Sequence, residues 1–93
     1  MSERGAFLSL QFTDRFVRSL FDGRFSASEI DRILRALHLL DSDERHPSLR
    51  VHQLKGKLRG EWSASASDEL RITFERLDGG RKRLLNASRH YQN

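Results

Sequence analysis

Two adjacent segments in the second half of the chain alternate between apolar and polar residues. The apolar positions are Trp62, Ala64 and Ala66 in the first segment, and Leu70, Ile72 and Phe74 in the second. Alternation with a period of two is typical of a strand that buries one face. The polar connection, residues 67–69, is short enough for a hairpin loop. The pattern therefore predicts two neighbouring strands, with Arg71 on the solvent side of the second.

Two helices are predicted ahead of these strands. Thr13 and Ser26 each precede apolar residues at helical spacing, and either side chain can cap a helix N-terminus. Glu29, three residues after Ser26, completes a capping-box pattern. Gly23 can end the first helix in the left-handed conformation. The apolar stripes are Phe16, Val17, Leu20 and Phe21 in the first helix, and Ile30, Ile33, Leu34, Leu37 and Leu40 in the second.

Further short strands are predicted on either side of these elements. They cover residues 8–12, 49–54 and 83–88, and the glycines at 56, 60, 79 and 80 mark turns between strands. The element order is then β-α-α-β-β-β-β. This order predicts one α+β domain over residues 1–93, in which two N-terminal helices pack on one face of a mostly antiparallel sheet.

Composition narrows the classes of protein. The chain has 93 residues, enough for a single modest core, and it contains no cysteine. Disulfides, thiolate catalysis and thiol-ligated metal sites are thereby excluded. No apolar run approaches the roughly 18–20 residues that span a bilayer, and the N-terminus lacks a signal-peptide pattern. We expect a cytoplasmic protein without a membrane partner.

Positive charge is concentrated in the second half of the chain. Residues 1–48 hold seven basic and eight acidic side chains, whereas residues 49–93 hold ten basic and five acidic ones. A cationic sheet surface would attract polyanions, of which nucleic acid is the commonest in the cytoplasm. The alternative is a charge excess that only keeps the protein soluble. The predicted surface comprises Lys55, Lys57, Arg59, Arg71, Arg76, Arg81, Lys82, Arg83 and Arg89.

Arginine and histidine side chains are the candidate catalytic groups. RNA cleavage through its own 2′-hydroxyl needs a base, an acid and positive charge on the pentavalent phosphate. Histidine suits both proton transfers, because its unperturbed pKa is about 6.5. Arg71 on a rigid strand suits the third role, although a solvated arginine is the alternative. This chemistry requires no metal or cofactor; a zinc site built from His46, His52 and His90 is the competing interpretation.

An ordered series of short motifs carries a family resemblance. The motifs are His46-Pro47, Leu49, His52-Gln53-Leu54-Lys55-Gly56, Gly60-Glu61-Trp62-Ser63, Leu70-Arg71-Ile72-Thr73-Phe74, Leu84-Leu85 and Arg89-His90-Tyr91. With these motifs the chain resembles the RelE/ParE superfamily of type II toxin–antitoxin toxins, particularly its YoeB-like and YafQ-like mRNA interferases. This resemblance implies two helices against a twisted antiparallel sheet.

The resemblance also implies roles for individual residues. Arg71 matches the strand arginine that contacts the scissile phosphate, and His90 matches the C-terminal general acid. Tyr91 resembles the aromatic residue that follows this acid in the YoeB-like branch. His46 falls where that branch has a catalytic glutamate before a proline, so the base here would be an imidazole. Asp68 resembles an acidic residue of the YafQ-like branch, with simple solvation as its alternative role.

RNA contacts and partners follow from the same resemblance. We expect mRNA, free or on the ribosome, as the substrate, and a cognate antitoxin protein as the partner. His52 also matches the family pattern, but for this residue packing or a structural hydrogen bond is the favoured role. Ser63 and Ser65 stand where many RelE toxins have basic side chains. The RNA-binding candidates are Lys55, Lys57, Arg59 and Arg89.

Two other functions remain open at the level of sequence. A ParE-like toxin would inhibit DNA gyrase by binding and would have no nuclease site. A non-catalytic RNA-binding module would use only the basic surface. A C-terminal proton donor such as His90 favours the nuclease over both, because a binder has no need of it.

Overall fold

The structure, a computed structural model, describes residues 7–58 and 60–89. The predicted element order β-α-α-β-β-β-β is confirmed. No helix in these two ranges is long and apolar enough to cross a lipid bilayer. The strands are β1 (Leu10–Phe12), β2 (His52–Gln53), β3 (Trp62–Ser65), β4 (Leu70–Arg76) and β5 (Lys82–Arg89), and the helices are α1 (Asp14–Asp22) and α2 (Ala27–Ser42).

The five strands form one mixed sheet in the order β1-β5-β4-β3-β2. β1 runs parallel to β5, and the other three pairs of neighbours are antiparallel. β3 and β4 form the predicted hairpin, in which Trp62 faces Phe74 and Ser65 faces Arg71. The predicted α+β class, with helices on a mostly antiparallel sheet, is therefore confirmed.

The core lies between the helices and one face of the sheet. Its side chains come from both helices, from β3, β4 and β5, and from the segment after α2. Since side chains alternate along a strand, the polar positions of β3 and β4 lie on the opposite face, which we call the open face. The buried core residues are Phe16, Ile33, Ala36, Leu37, Leu40, Leu49, Ala64, Leu70, Ile72, Phe74, Leu84 and Ala87.

Both predicted N-terminal caps are present. Thr13 Oγ1 accepts a hydrogen bond from the Phe16 N–H at 3.0 Å. Ser26 and Glu29 form the reciprocal capping box, with bonds of 3.1 and 2.8 Å. These hydrogen bonds satisfy N–H groups that have no partner inside the helix, so each helix begins where its cap residue directs.

The predicted left-handed stop at Gly23 is wrong. Gly23 has φ −70° and ψ −13°, and Arg24 takes the positive φ of 51° instead. Glycine is nevertheless required at position 23, because a Cβ there would collide with the Phe25 ring and the Ser19 carbonyl oxygen. Close packing of the α1–α2 connection, and not backbone handedness, explains this glycine.

The apolar stripes of both helices are narrower than predicted. Phe16 is fully buried, whereas Val17 is 39% and Phe21 78% exposed. Adjacent helix positions point about 100° apart, so a short helix on a sheet edge buries only one of them. On α2, Leu34 is 46% exposed, whereas the small residue Ala36 is buried.

The predicted strand over residues 49–54 is mostly wrong. Only His52–Gln53 pairs with β3, and Pro47–Leu49 is a turn of 3₁₀ helix. The turn ends at Arg50, whose φ is +46°, and this left-handed residue redirects the chain into the edge strand. Leu49 is fully buried as a plug beside α2. Leu49 is therefore apolar because it packs in the core. The alternation pattern could not distinguish such a residue from the buried position of a strand.

The outer strands also differ from prediction at their ends. β1 begins at Leu10 and not at residue 8, because the Leu8 and Ser9 N–H groups donate to the Asp41 carboxylate at 3.1 and 2.7 Å. β1 pairs only with the first three residues of β5. Beyond that point Ser19 Oγ, on α1, accepts the outward Ala87 N–H at 2.8 Å.

The predicted single cationic sheet surface is also wrong. Strand alternation divides the basic residues between two faces, and nearby glutamates neutralise several of them. Lys82 is only 3% exposed and lies 3.2 Å from Glu44 on the helix side of the sheet. The other pairs are Arg76–Glu44 at 2.7 Å, Arg83–Glu75 at 2.6 Å and Arg89–Glu29 at 2.9 Å.

Glu44 joins the end of α2 to two strands. Its carboxylate accepts hydrogen bonds from Arg76 at 3.2 and 2.7 Å and pairs with the Lys82 ammonium. The hydrogen bonds from Arg76 are the largest cause that lowers the pKa of Glu44, which falls to about 2. The hydrogen bond and the charge of Lys82 lower it further, whereas partial burial opposes the shift. The cluster thus favours the ionised carboxylate in the folded state.

Stability should depend on this carboxylate at acid pH. Because the folded pKa lies below the unfolded value of 4.5, the contribution is complete above about pH 4.5 and is lost as the pH falls toward 2. We expect Glu44→Gln to lower the free energy of unfolding near pH 7 by about 1–2 kcal/mol, since the carboxylate is partly exposed and screened. Chemical denaturation across this pH range measures the difference.

Glu75→Gln is the matched control, since Glu75 forms a more exposed pair with Arg83. It should change stability by less than about 1 kcal/mol. A difference between wild type and Glu44→Gln that stays constant from pH 7 to pH 2 would contradict the role given to Glu44.

Candidate functional site

Arg71 projects from β4 onto the open face and is held there by the hairpin. Its Nη1 donates to Ser65 Oγ at 2.9 Å and to the Ser67 carbonyl oxygen at 3.1 Å. Ser65 is the cross-strand partner of Arg71 and is only 6% exposed. Both contacts use Nη1, and a guanidinium has five N–H donors. Nε and Nη2 make no hydrogen bond to any residue that the structure describes, and they face no competing protein acceptor there.

Arg71 differs from the other arginines of β4 and β5 in its distance from carboxylates. Arg76, Arg83 and Arg89 each lie within 3 Å of a glutamate oxygen. Within residues 7–58 and 60–89, no carboxylate lies within 4.0 Å of the Arg71 guanidinium. Its hydrogen-bond partners are a hydroxyl and a carbonyl, which orient the group without neutralising it. Arg71 is thus a fixed cation suited to a phosphate or carboxylate ligand.

Neutral hydroxyl groups surround this cation. Ser63 faces Thr73 across β3 and β4, and Ser88 faces Arg71 across β4 and β5. Ser63 and Ser65 are nearly buried, at 5% and 6% exposure. Among the described residues, Arg71 is therefore an arginine without a carboxylate partner, lined by hydroxyls, and this arrangement suits a phosphate group.

His52 lies on the open face, at the sheet edge. It faces Ser63 in the register of β2 and β3, and Ser63 faces Thr73 of β4. The Cα atoms of His52 and Arg71 are then roughly 12 Å apart, since neighbouring strands are separated by about 4.8 Å. The Arg71 guanidinium is held toward Ser65 and Ser67, at the hairpin-loop end of β3, whereas His52 lies beside Ser63. The structure thus places His52 and Arg71 on the same surface.

The hydrogen bond of His52 determines where its proton lies. Nδ1 is 2.9 Å from the Arg50 carbonyl oxygen, which can only accept. The neutral ring must therefore carry its proton on Nδ1, and Nε2 has a free lone pair. His52 is in the tautomer that a general base requires.

His46 has the opposite arrangement. Its Nδ1 accepts from the Ser48 N–H at 3.2 Å, which caps the 3₁₀ turn, and lies 2.8 Å from Ser48 Oγ. The proton of the neutral ring is then on Nε2, which can donate but cannot accept. His46 makes no hydrogen bond to Arg71 and instead lines a cleft of about 390 Å³ beside Trp62 and Arg76.

The remaining predicted site residues are dispersed. Asp68 lies in the hairpin loop and forms a solvent-exposed ion pair with Arg50 at 3.5 Å. Lys55 and Lys57 are exposed in the loop between β2 and β3. Arg59, His90 and Tyr91 lie outside the described residues. The described part of β5 ends at Arg89, opposite Leu70, the residue before Arg71.

Arg89 lies on the helix side of the sheet and not on the open face. Its guanidinium donates to the Gly23 carbonyl oxygen at 2.6 Å, pairs with Glu29, and stacks over the Phe25 ring at 4.7 Å. These contacts join β5 to the α1–α2 connection. The structure therefore does not bring Arg89 together with Arg71.

Potential metal ligands do not gather in the described part of the chain. No group of three or more histidine, aspartate and glutamate side chains there is arranged to hold a metal ion. His38 stacks on Phe7, with ring centroids 4.7 Å apart, and contributes to packing.

Sequence reasoning missed two parts of the site. The serine contacts that fix Arg71 were not predicted, although Ser65 shares the strand parity that places it on the same face. The proton position on His52 depends on the carbonyl of Arg50, whose positive φ has no clear sequence signal. The sequence therefore shows which residue types are present at the site, but it does not predict the hydrogen bonds between them.

Comparisons with solved structures show that this chain shares its fold with YafQ and YoeB/ParE toxins. No protein-family model and no curated protein matches the chain. The YafQ structure from E. coli superposes with a TM-score of 0.72 at 11% identity, covering 87% of this chain and 91% of YafQ. A YoeB/ParE toxin from Agrobacterium tumefaciens gives a TM-score of 0.61 at 24% identity, covering 90% of this chain and 100% of that toxin.

A toxin–antitoxin complex is among the similar structures. The E. coli DinJ–YafQ complex matches with a TM-score of 0.69 at 12% identity, covering 87% of this chain and 90% of the matched chain. Identities at this level establish the shared fold. The fold agrees with the resemblance found in the sequence.

Removing the hydroxyl that holds Arg71 should weaken anion binding. In Ser65→Ala, Nη1 keeps only the Ser67 carbonyl oxygen, so we expect about fivefold weaker binding of single-stranded RNA, equivalent to about 1 kcal/mol. Fluorescence anisotropy with a labelled 2′-O-methyl oligonucleotide measures this affinity. Ser63→Ala is the matched control, because Ser63 is equally buried and has no hydrogen bond to Arg71 among the described contacts. Equal losses in both variants would refute a specific role for Ser65.

Proposed function

We propose that this protein is the toxin of a type II toxin–antitoxin system and an endoribonuclease that cleaves mRNA without a metal ion or cofactor. The observation that carries this proposal is the unneutralised, oriented guanidinium of Arg71 on the open face. The fold shared with YafQ and YoeB toxins supports the toxin role. The sequence resemblance to mRNA interferases supports the reaction.

Arg71 would bind the scissile phosphate through Nε and Nη2. The 2′-oxygen attacks this phosphorus, and negative charge grows on the equatorial oxygens as the pentavalent state forms. A fixed guanidinium stabilises that charge more than the ground state, because its orientation requires no rearrangement. The bond from phosphorus to the 5′-oxygen then breaks, leaving a 2′,3′-cyclic phosphate and a 5′-hydroxyl.

The general base would be His52, with Nε2 taking the proton of the 2′-hydroxyl. Its hydrogen bond to the Arg50 carbonyl oxygen holds the ring in the required tautomer. His46, the base expected from sequence, carries its proton on Nε2 and fits a donor role. These hydrogen bonds support His52, and not His46, as the general base.

The leaving 5′-oxygen would receive its proton from His90. This assignment rests on the sequence resemblance, as does the proposed placement of Tyr91 next to the leaving group. Three basic residues follow β2, the strand that carries His52, and would attract the RNA backbone: Lys55, Lys57 and Arg59. The substrate would be mRNA in the cytoplasm, either free or on the ribosome.

A cognate antitoxin would inhibit the toxin by docking on the helices. An open cleft of about 730 Å³ lies between α1 and β5, and Phe21 and Val17 expose apolar surface on α1. The DinJ–YafQ structure is a toxin–antitoxin complex of the same fold. An amphipathic helix of the partner would cover these exposed side chains.

A ParE-like inhibitor of DNA gyrase is the second candidate function. It is favoured by Ser63 and Ser65, which give the open face hydroxyls where many RelE toxins have basic groups. Such a protein would bind its target without using His52 or Arg71 as catalysts. Gyrase supercoiling assays distinguish the two functions.

Cleavage should depend on Arg71 and His52. We expect Arg71→Ala to lower kcat/KM for RNA cleavage by about 10²- to 10³-fold, since it removes the transition-state cation. His52→Ala should cost about 10²-fold or more, whereas His46→Ala should cost less. Incubation of end-labelled mRNA with and without translating ribosomes, followed by analysis of the RNA ends, measures these effects.

Arg83→Ala is the matched control, because Arg83 lies on the same face but is neutralised by Glu75. It should retain nearly full activity. Unchanged growth arrest in both Arg71→Ala and His90→Ala would reject the nuclease assignment. Full activity of His52→Ala, with loss in His46→Ala, would restore His46 as the base.

A further inference from the structure

The cleft that His46 lines lies at the end of the β3–β4 pair opposite the hairpin loop. Its volume is about 390 Å³, and its walls include Trp62, the first residue of β3, and Arg76, the last residue of β4. The segment after α2 closes the other side with Arg45 and His46. The proposed reaction makes no use of this cleft.

The Arg76 guanidinium lies over the Trp62 ring in a cation–π contact. The Arg76 guanidinium carbon lies 4.2 Å from the Trp62 ring centroid. Two hydrogen bonds to Glu44, at 3.2 and 2.7 Å, fix the guanidinium orientation. Tryptophan rings and guanidinium planes are the protein groups on which unpaired nucleobases stack. The pair is therefore preorganised for a flat, electron-rich ligand.

The charge around this surface favours an anion. Glu44 is shared between Arg76 and the buried Lys82, so these three groups together carry a net positive charge. Arg45 is exposed at the mouth of the cleft and adds a further positive charge. His46 contributes a donor, because Ser48 occupies its Nδ1 and leaves the proton on Nε2. A phosphate group beside the stacked base would meet all of these donors.

We propose that this cleft binds one nucleotide of a single-stranded RNA, with the base against Trp62 and Arg76 and its phosphate near Arg45 and His46. This inference rests on the proposed function, which makes RNA the substrate. Trp62 lies three residues from Ser65 along β3, about 10 Å away, and on the other face of the sheet. The bound nucleotide therefore flanks the scissile phosphate at a distance of more than one nucleotide, and the RNA passes around the end of the sheet.

Trp62 is the only tryptophan in the chain, so its fluorescence reports on this cleft alone. The probe is a short, unstructured 2′-O-methyl oligonucleotide, which cannot be cleaved through a 2′-hydroxyl. We expect saturable quenching of Trp62 on binding. Arg45→Ala, an exposed substitution, should weaken the affinity by about tenfold. Arg35→Ala is the matched control on the exposed surface of α2, where Arg35 pairs with Asp31, and it should leave the affinity unchanged.

The outcomes separate this inference from the proposed function. In Arg71→Ala, quenching at saturation should persist even though cleavage is lost. Binding that is visible by anisotropy but leaves Trp62 fluorescence unchanged would overturn the inference while the proposed function stands. A third outcome combines two results: the oligonucleotide quenches wild-type Trp62 and binds Arg45→Ala more weakly, but the wild-type protein cleaves no RNA. This outcome would support the subsite and overturn the nuclease assignment. Equal affinity of Arg45→Ala and wild type would also reject the subsite.

For the cleavage reaction, the subsite predicts a split between the kinetic constants. Arg45→Ala should raise KM about tenfold and change kcat little, because a flanking nucleotide is bound equally in the ground and transition states. A fall in kcat with an unchanged KM would place Arg45 in the chemistry and reject its role in the subsite.

Discussion

The pairing of strand cations with glutamates organises both the packing and the candidate site. Glu44 attaches the end of α2 to β4 and β5, and Glu29 attaches the start of the same helix to Arg89. Each pair removes a positive charge from the sheet while it fixes a helix in place. Within the described residues, none of these glutamates pairs with Arg71, so the interactions that stabilise the layers leave this cation as the candidate for anion binding.

Strand register makes this selection possible. Side chains along β4 alternate between the core and the open face, and Ser65 and Ser88 flank Arg71 on neighbouring strands. A slip of one residue in the β3–β4 pairing would send Arg71 into the core and Ile72 into solvent. The hydrophobic residues of β4 therefore specify the position of its arginine. The packing of the core and the placement of Arg71 are encoded in the same seven residues.

Sequence reasoning recovered the fold well, because its main signals are local. Alternation in β3 and β4, the caps at Thr13 and Ser26, and the element order are all confirmed. It failed where tertiary contacts decide the outcome. Leu49 is apolar because it plugs the core, and Lys82 is buried because a glutamate 38 positions earlier in the chain neutralises it. Arg71 was identified from pattern and resemblance, but the proton positions on His46 and His52 depend on backbone groups that only the structure provides.

The hydroxyl of Ser19 has a consequence for how other chains can approach this protein. A sheet edge with free N–H and C=O groups is a template for strand addition, by a partner or by another copy. Where β1 stops, Ser19 occupies the outward N–H of Ala87, and α1 lies along the rest of that edge. The opposite edge is β2, only two residues long. A short helix thus protects the longer edge against intermolecular pairing, and a partner meets side chains of α1 there before it can reach any strand.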